Sequence, residues 1–271
     1  MMKDWNYENE QWTKLPGHLK HLPLFTRHLD FTSLVFRYLW GAFLKIAFRF
    51  YIFLIVKGSF RELYKTHKRL IIISNHASHL DAVSIAAAIP VRYWLDLYIT
   101  AAKDYWFRNS LFTFFSAHCL GAIPIDRKDR KGEAISLCTS LLESLDRIWL
   151  IMFPEGTRSP DGYVKEFKRG VSVFSQRSNT PILFLYLEGN AKLFPKGRPL
   201  PAPGFLTIHI GPVIPPSDIE TINAKYKEFA LSIDPNAYGP QIEANTIADE
   251  FDAEVIESSS EEDLKANGNE E

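Results

Sequence analysis

Residues 70–81, LIIISNHASHLD, place a short apolar segment directly before a cluster of polar side chains. The β-branched run at the start predicts a buried strand. An alanine- and isoleucine-rich pattern follows and predicts a helix that stops at Pro90. Ser78 is expected to cap this helix, with Asp81 in the capping-box position. The stretch therefore predicts a strand, a polar loop and a helix, an arrangement that collects functional groups at a strand end.

His76 and Asp81 are the candidate reactive pair in this loop. An imidazole can accept a proton from a hydroxyl, and a neighbouring carboxylate fixes its tautomer and stabilises the imidazolium. The alternative is that Asp81 only caps the helix and His76 is an ordinary loop residue, because a His and an Asp five apart often occur by chance. Taken alone, the stretch leaves both interpretations open.

The rest of the chain alternates strand patterns with helix patterns. This order predicts a layered α/β domain with its chemistry at strand ends, for which we expect a mixed sheet flanked by helices. The expected strands are 92–102, 120–125, 148–153, 181–187 and 205–214, and the expected helices are 104–115, 129–147, 167–175 and 217–233, the last with a capping box of Ser217 and Glu220. The expected divisions are an N-terminal extension (1–30), a membrane-interface helical region (31–62), the α/β domain (63–234) and an acidic, disordered tail (235–271).

Two further strands are followed by charged clusters. One delivers Arg127 and the other Glu155 and Arg158, and guanidinium groups favour bidentate contact with phosphate. The alternatives are that Arg127 is a surface charge in the polar run DRKDRK and that the segment beginning at Glu155 is a simple turn permitted by Gly156. The chain contains neither a GxSxG nucleophile motif nor a P-loop.

Residues 31–60 are strongly apolar but are interrupted by Arg37, Lys45 and Arg49. On a helix these three cations fall within roughly 120° of arc and leave a broad apolar face. The pattern predicts a helix in the membrane interface, with its basic residues toward the head groups. A helix packed on the core of the protein and a single tilted span remain alternatives.

Charge distribution and cysteine content indicate the kind of partner and the cellular compartment. Residues 241–271 carry a net charge of −10 and residues 1–240 a net charge of +9, which suits anionic partners for the body of the protein. Two cysteines without metal-ligand spacing indicate a reducing compartment. The N-terminus lacks a secretory signal pattern, and the basic residues form no recognised nucleic-acid-binding module. We therefore expect a membrane-associated, cytoplasmic-face protein that does not bind nucleic acid.

Four ordered blocks resemble the glycerophospholipid acyltransferases, specifically the lysophosphatidic acid acyltransferase group. NHASHLD resembles the N-H-x-S-x-x-D form of their HxxxxD motif, GAIPIDR their second block, FPEGTRS their third block at every position, and TPILFL their fourth. Two positions depart from the family pattern. Pro124 stands where an aromatic residue is common, and Phe184 stands where a second proline is usual. The resemblance covers roughly residues 65–215.

The resemblance implies a mechanism. His76 would act as general base on the free hydroxyl of a lysophospholipid, with Asp81 as its partner, and the hydroxyl would attack an acyl thioester without an acyl-enzyme. It implies no metal or cofactor, with acyl-CoA or acyl carrier protein as donor and phosphatidic acid as the expected product. Backbone N–H groups near residues 75–78 are the candidates for stabilising the oxyanion. The acceptor's glycerol phosphate would be bound by Arg127, Glu155, Gly156, Thr157, Arg158 and Lys168.

Several alternatives remain at this point. Within the family, the alternative acceptors are glycerol 3-phosphate, another lysophospholipid and a lyso-aminolipid. A metal-dependent hydrolase would use His76, His79 and Asp81 as ligands, although a third histidine at a recognisable spacing is missing. A non-enzymatic membrane-binding protein would need only the apolar region 31–60 and the basic body.

Overall fold

The computed structural model of the chain describes residues 31–107, 109–125, 133–195 and 197–240. The strands are β1 (Ile52–Lys57), β2 (Arg69–Ser74), β3 (Leu97–Ala102), β4 (Ala122–Ile125), β5 (Ile148–Met152), β6 (Ile182–Glu188) and β7 (Gly204–Ile214). The α-helices are α1 (Phe31–Phe50), α2 (Phe60–Thr66), α3 (Asp81–Ala88), α4 (Lys103–Trp106), α5 (Ser110–Phe115), α6 (Glu133–Ser144), α7 (Gly170–Ser178), α8 (Asn190–Leu193) and α9 (Ile219–Ile233). A 3₁₀ helix (Val91–Asp96) precedes β3, and a π-helical turn (Ser116–Leu120) follows α5.

Within the described residues, seven strands form one sheet in the order β1-β7-β6-β2-β5-β3-β4. The pairs from β6 through β4 are parallel, β6 and β7 are antiparallel, and β1 runs parallel to β7. The expected mixed sheet flanked by helices is confirmed. Its parallel part brings the carboxyl ends of β2, β3, β4 and β5 to one edge, where open α/β sheets bind their ligands.

Strand β2 is the centre of the core. Residues Leu70, Ile71, Ile72 and Ile73 are completely inaccessible to solvent, as expected for a strand covered on both faces. Helices α1 and α3 cover one face of the sheet, and α9 packs Tyr226 against Phe184 on β6. The loop that follows β2 is therefore held by a rigid support.

Helix α1 carries two apolar stripes with helical spacing. The inner stripe packs on the body through Leu44 and Phe48, and Gly41 lies against the Trp94 ring so closely that a Cβ there would be 3.2 Å from it. We call the second one the outer stripe; it is solvent-exposed and consists of Leu39 (61%), Phe43 (54%), Ile46 (60%) and Phe50 (78%). The helix is therefore apolar both toward the protein and away from it.

Two of the three cations of α1 donate hydrogen bonds to the body of the protein. Arg37 is 2% exposed and donates to the Trp94 carbonyl at 2.9 Å, and Lys45 Nζ donates to the Ala87 carbonyl at 2.8 Å. The prediction that the cations point outward to head groups is wrong for Arg37, which is buried. Lys45 is exposed although its Nζ bonds to the protein, and Arg49 is exposed. Among the described residues, no helix combines the length and apolarity needed to cross a bilayer.

Three local predictions are also wrong. Residues 52–57 form strand β1 instead of continuing a helix, so the sheet begins before the expected domain boundary at 63. Residues 91–96 form a 3₁₀ helix ahead of β3. Helix α9 is capped by Asp218, whose side chain accepts from Thr221 N at 2.7 Å, whereas Ser217 donates to the Pro215 carbonyl. Arg127 and most of the acidic tail lie outside the described residues.

Candidate active site

Asn75 anchors the loop that follows β2 to the neighbouring strand. Its Oδ1 accepts from Leu187 N at 2.8 Å and its Nδ2 donates to the Leu187 carbonyl at 3.0 Å. Its backbone N–H donates to the hydroxyl of Tyr226 at 2.9 Å, and that hydroxyl donates to the Leu185 carbonyl. These buried bonds fix the backbone at the position where His76 leaves the sheet.

The structure brings His76 and Asp81 together. His76 Nδ1 lies 2.8 Å from Asp81 Oδ2, and the Asp81 side chain is completely buried. An ionised carboxylate only accepts hydrogen bonds, so Nδ1 carries the hydrogen and Nε2 is left as the basic nitrogen. The imidazole stacks on the ring of Phe153, with 4.2 Å between ring centroids, which fixes its plane.

The carboxylate of Asp81 is surrounded by N–H donors. Besides the imidazole, Oδ2 accepts from Ala77 N at 2.8 Å and Ser78 N at 2.9 Å, and Oδ1 accepts from Asn190 Nδ2 at 2.9 Å. Such donors stabilise a buried charge. Helix α3 begins at Asp81, and the expected N-cap role of Ser78 is wrong, because its hydroxyl accepts from Leu80 N and donates to the Phe194 carbonyl.

The backbone N–H groups of residues 75–78 are all engaged within the protein. They bond to Tyr226, Glu155 and Asp81, and these bonds shape the loop. The expectation that they stabilise an oxyanion is therefore wrong for this structure, since a donor already bonded internally is not aimed at a substrate oxygen.

Glu155 lies beneath the loop. It is 3% exposed, and its Oε1 accepts from His76 N at 2.8 Å. Burial raises the pKa of Glu155 to about 8, and the negative charge of Asp81 adds to this effect, whereas the backbone N–H of His76 and the nearby Lys165 oppose it. The carboxyl group therefore supports the backbone of His76 from inside the protein.

The third block forms a turn against the first. Ser159 N donates to the His76 carbonyl at 2.7 Å, and Gly156 adopts φ +74°, a conformation that favours glycine. Lys168 lies directly over this turn, because a Cβ on Gly156 would be 2.6 Å from Lys168 Nζ. Thr157 at the turn is exposed. The turn thus places the backbone of Gly156 and the ammonium group of Lys168 on the side of the site that carries the third block.

A cavity of about 310 Å³ lies beside this turn, in the size range of small-molecule sites. The wall contributed by β3 and β4 is mostly apolar, and the polar lining includes His76, His79 and Arg158. Burial lowers the pKa of His79, and the positive charge of Arg158 adds to that effect. The cavity therefore joins a basic, polar side to an apolar wall.

Of the residues predicted for the site, the structure places His76, Gly156 and Arg158 in the cavity lining and Lys168 against Gly156. Glu155 belongs to the same motif as Gly156 and Arg158, but its side chain is buried behind the loop. Sequence reasoning missed Asn190 and the stacking ring of Phe153. Phe153 is the first residue of the third block, so its position was available from the sequence, whereas Asn190 is 109 residues from Asp81 in the chain.

Comparison with known proteins relates the chain to acyltransferases. The profile of the family described as Acyltransferase matches residues 56–187. Over these residues, just under half of its length, the chain is similar to the acyltransferases. The resemblance found in the four blocks is thereby confirmed. A solved family member, the 1-acyl-sn-glycerophosphate acyltransferase PlsC of Thermotoga maritima, superposes with a TM-score of 0.58 at 26% identity, covering 70% of this chain and 75% of that one.

Two curated relatives are similar to half of the chain or more. The 1-acyl-sn-glycerol-3-phosphate acyltransferase of Limnanthes alba is 34% identical over 143 residues, which is 50% of this chain and 48% of that protein. The human 1-acyl-sn-glycerol-3-phosphate acyltransferase alpha is 26% identical over 172 residues, 60% of this chain and 58% of that protein. The chain thus spans about half the length of the curated relatives it matches.

Proposed function

We propose that the protein is an O-acyltransferase that moves a fatty acyl group from an acyl thioester to the free hydroxyl of 1-acylglycerol 3-phosphate and so forms phosphatidic acid. The observation that carries the proposal is His76, held by the buried Asp81, in the lining of a cavity with one apolar wall and the guanidinium of Arg158. The names of the relatives support this choice of acceptor.

His76 Nε2 takes the hydroxyl proton as the acceptor oxygen bonds to the thioester carbonyl carbon. When the tetrahedral intermediate collapses, the carbon–sulfur bond breaks and the proton passes from Nε2 to the departing thiolate. A positioned base contributes about 10²–10⁴-fold to such a step. Asp81 holds Nδ1–H and stabilises the imidazolium between the two transfers.

The acyl group is transferred directly in this proposal, without a covalent enzyme intermediate. The two cysteines do not supply a nucleophile, because burial raises the pKa of Cys119 to about 11 and that of Cys138 to about 12, so both remain protonated at neutral pH. The thioester is a co-substrate, and no bound metal or cofactor takes part.

The acceptor's phosphate binds beside the third-block turn. Arg158 and Lys168 supply positive charge there, and Gly156 lets the backbone approach closely. Arg127, which lies outside the described residues, is proposed as a further ligand from its motif position, and Thr157 is proposed to shape the turn. Glu155 acts from behind by holding His76. The apolar wall of β3 and β4 receives an acyl chain.

The outer stripe of α1 docks on the lipid surface in which acceptor and product reside. Stacked rings extend it, since Phe53 on β1 and Phe205 on β7 are both exposed and lie 5.2 Å apart between centroids. Exposed apolar side chains of this kind are typical of interfacial helices. We propose peripheral association, with the cytoplasmic face remaining the expected side.

The test is acyl transfer by the purified full chain in mixed micelles, with product measured by mass spectrometry. Acyl-CoA and acyl carrier protein are compared as donors, and lysophosphatidate, glycerol 3-phosphate, another lysophospholipid and a lyso-aminolipid as acceptors. We expect phosphatidate from lysophosphatidate, undiminished by chelator and lost in His76→Ala, which should still bind vesicles. Transfer to a different acceptor alone, or an active His76→Ala, would contradict the proposal.

A further inference from the structure

Asn190 is the first residue of α8, separated from the end of β6 by Gly189, and is 3% exposed. Its side chain makes two hydrogen bonds in opposite senses. Nδ2 donates to Asp81 Oδ1 at 2.9 Å, and Oδ1 accepts from Ala191 N at 2.9 Å. Because the oxygen is required by the Ala191 N–H, the amide cannot flip without losing both bonds.

We infer that Asn190 is a positioning residue for the proposed reaction and acts through Asp81 as the third member of a His76–Asp81–Asn190 relay. The inference rests on the proposed function and assigns to it a residue outside the four motif blocks.

The carboxylate of Asp81 needs restraint on both sides to direct the imidazole. Oδ2 holds His76 Nδ1 together with the N–H groups of Ala77 and Ser78, while Oδ1 is held by Asn190. A carboxylate turns about its broad terminal torsion unless its oxygens are bonded. Removing the Asn190 amide leaves Oδ1 without this donor, so the carboxylate is restrained through Oδ2 alone and directs the imidazole less firmly.

A purely structural role for Asn190 would give a different result, because its hydrogen bond to Asp81 also joins the start of α8 to the loop after β2. Loss of that tie would loosen the fold in any background. A relay member, by contrast, matters only while Asp81 is present, and the energetic coupling of two contacting residues is measured by a double-mutant cycle.

The experiment compares Asn190→Ala, Asp81→Ala and the double variant in the full chain, with kcat and KM measured in mixed micelles. We expect Asn190→Ala to lower kcat by about 10–100-fold, the usual effect of removing the outer partner of a working group, with KM within about twofold of the unmodified protein. In the Asp81→Ala background the same change should have no further effect on kcat. An unchanged kcat in Asn190→Ala, or an equal loss in both backgrounds, would overturn the relay.

A matched control and a second readout keep this test separate from the proposed function. Ser84→Ala removes a buried hydroxyl that donates to the backbone carbonyl of Asp81 at 2.8 Å and leaves the carboxylate alone. In proton NMR, the His76 Nδ1–H resonance should persist in Ser84→Ala and broaden by solvent exchange in Asn190→Ala. A persistent resonance in Asn190→Ala refutes the relay even if no acyl transfer is found, whereas absence of transfer by the unmodified chain refutes only the function.

Discussion

Glu155→Gln should abolish a large pH dependence of stability. The carboxyl group of Glu155 has a pKa of about 8 in the folded protein against 4.5 for a free side chain, chiefly because it is buried. Between these values the folded state keeps a proton that the unfolded state has released. Stability contributed by this group is therefore complete below pH 4.5 and is lost as the pH rises toward 8.

The size of the effect follows from linkage. One pKa unit corresponds to about 1.4 kcal/mol, so the free energy of unfolding should fall by about 3 kcal/mol between pH 5 and pH 7.5 because of Glu155. Glutamine keeps an oxygen for His76 N but does not titrate. An unsatisfied buried amide hydrogen shifts the stability of the variant by a constant amount of about 1–3 kcal/mol, so the slope with pH is the informative quantity.

The assay is urea unfolding in detergent at several pH values between 5 and 7.5, followed by tryptophan fluorescence. Glu143→Gln on the exposed surface of α6 is the control and should leave the slope unchanged. Parallel curves for the unmodified protein and Glu155→Gln would refute the reasoning. A raised KM for the acceptor in Glu155→Gln, with parallel curves, would mean that Glu155 is ionised and contacts the phosphate-bearing substrate instead.

Three further changes test the rest of the site. Phe153→Ala removes the ring that stacks on the imidazole and should lower kcat by about 2–10-fold, whereas Phe153→Tyr should not. Gly156→Ala, at φ +74° and 2.6 Å from Lys168 Nζ, should raise KM for lysophosphatidate about tenfold; an unchanged KM would separate this turn from the phosphate site. Phe43→Glu on the outer stripe should weaken sedimentation with anionic vesicles by about 10–100-fold, while Ala224→Glu on exposed α9 should not.

The parts of the fold that could be predicted are those whose sequence pattern is bounded by clear breaks. Strand β2 stands out because its apolar run ends in polar residues, and His76 with Asp81 follows immediately. Strand β1 was missed because residues 50–56 continue the apolar pattern of α1 without glycine or proline, so nothing local marks the change from helix to strand.

Tertiary contacts account for the remaining errors. A cation in an apolar helix is expected to face water or lipid head groups, yet Arg37 is buried because the Trp94 carbonyl needs a donor there. Glu155 was assigned to the substrate because the family resemblance implied it, and only the fold shows that it accepts from the backbone of His76. No local sequence pattern marks Asn190, because its partner Asp81 follows a different strand of the sheet.

Strand β1 makes the segment that we propose to dock on lipid part of the sheet itself. It pairs with β7 along its whole length, from Ile52 with Gly204 to Lys57 with His209. A fragment that began at the first motif, or a chimera with a foreign anchor in place of residues 31–57, would leave β7 with a bare edge open to aggregation. Engineering of this protein therefore has to retain the N-terminal segment even when solubility is the goal.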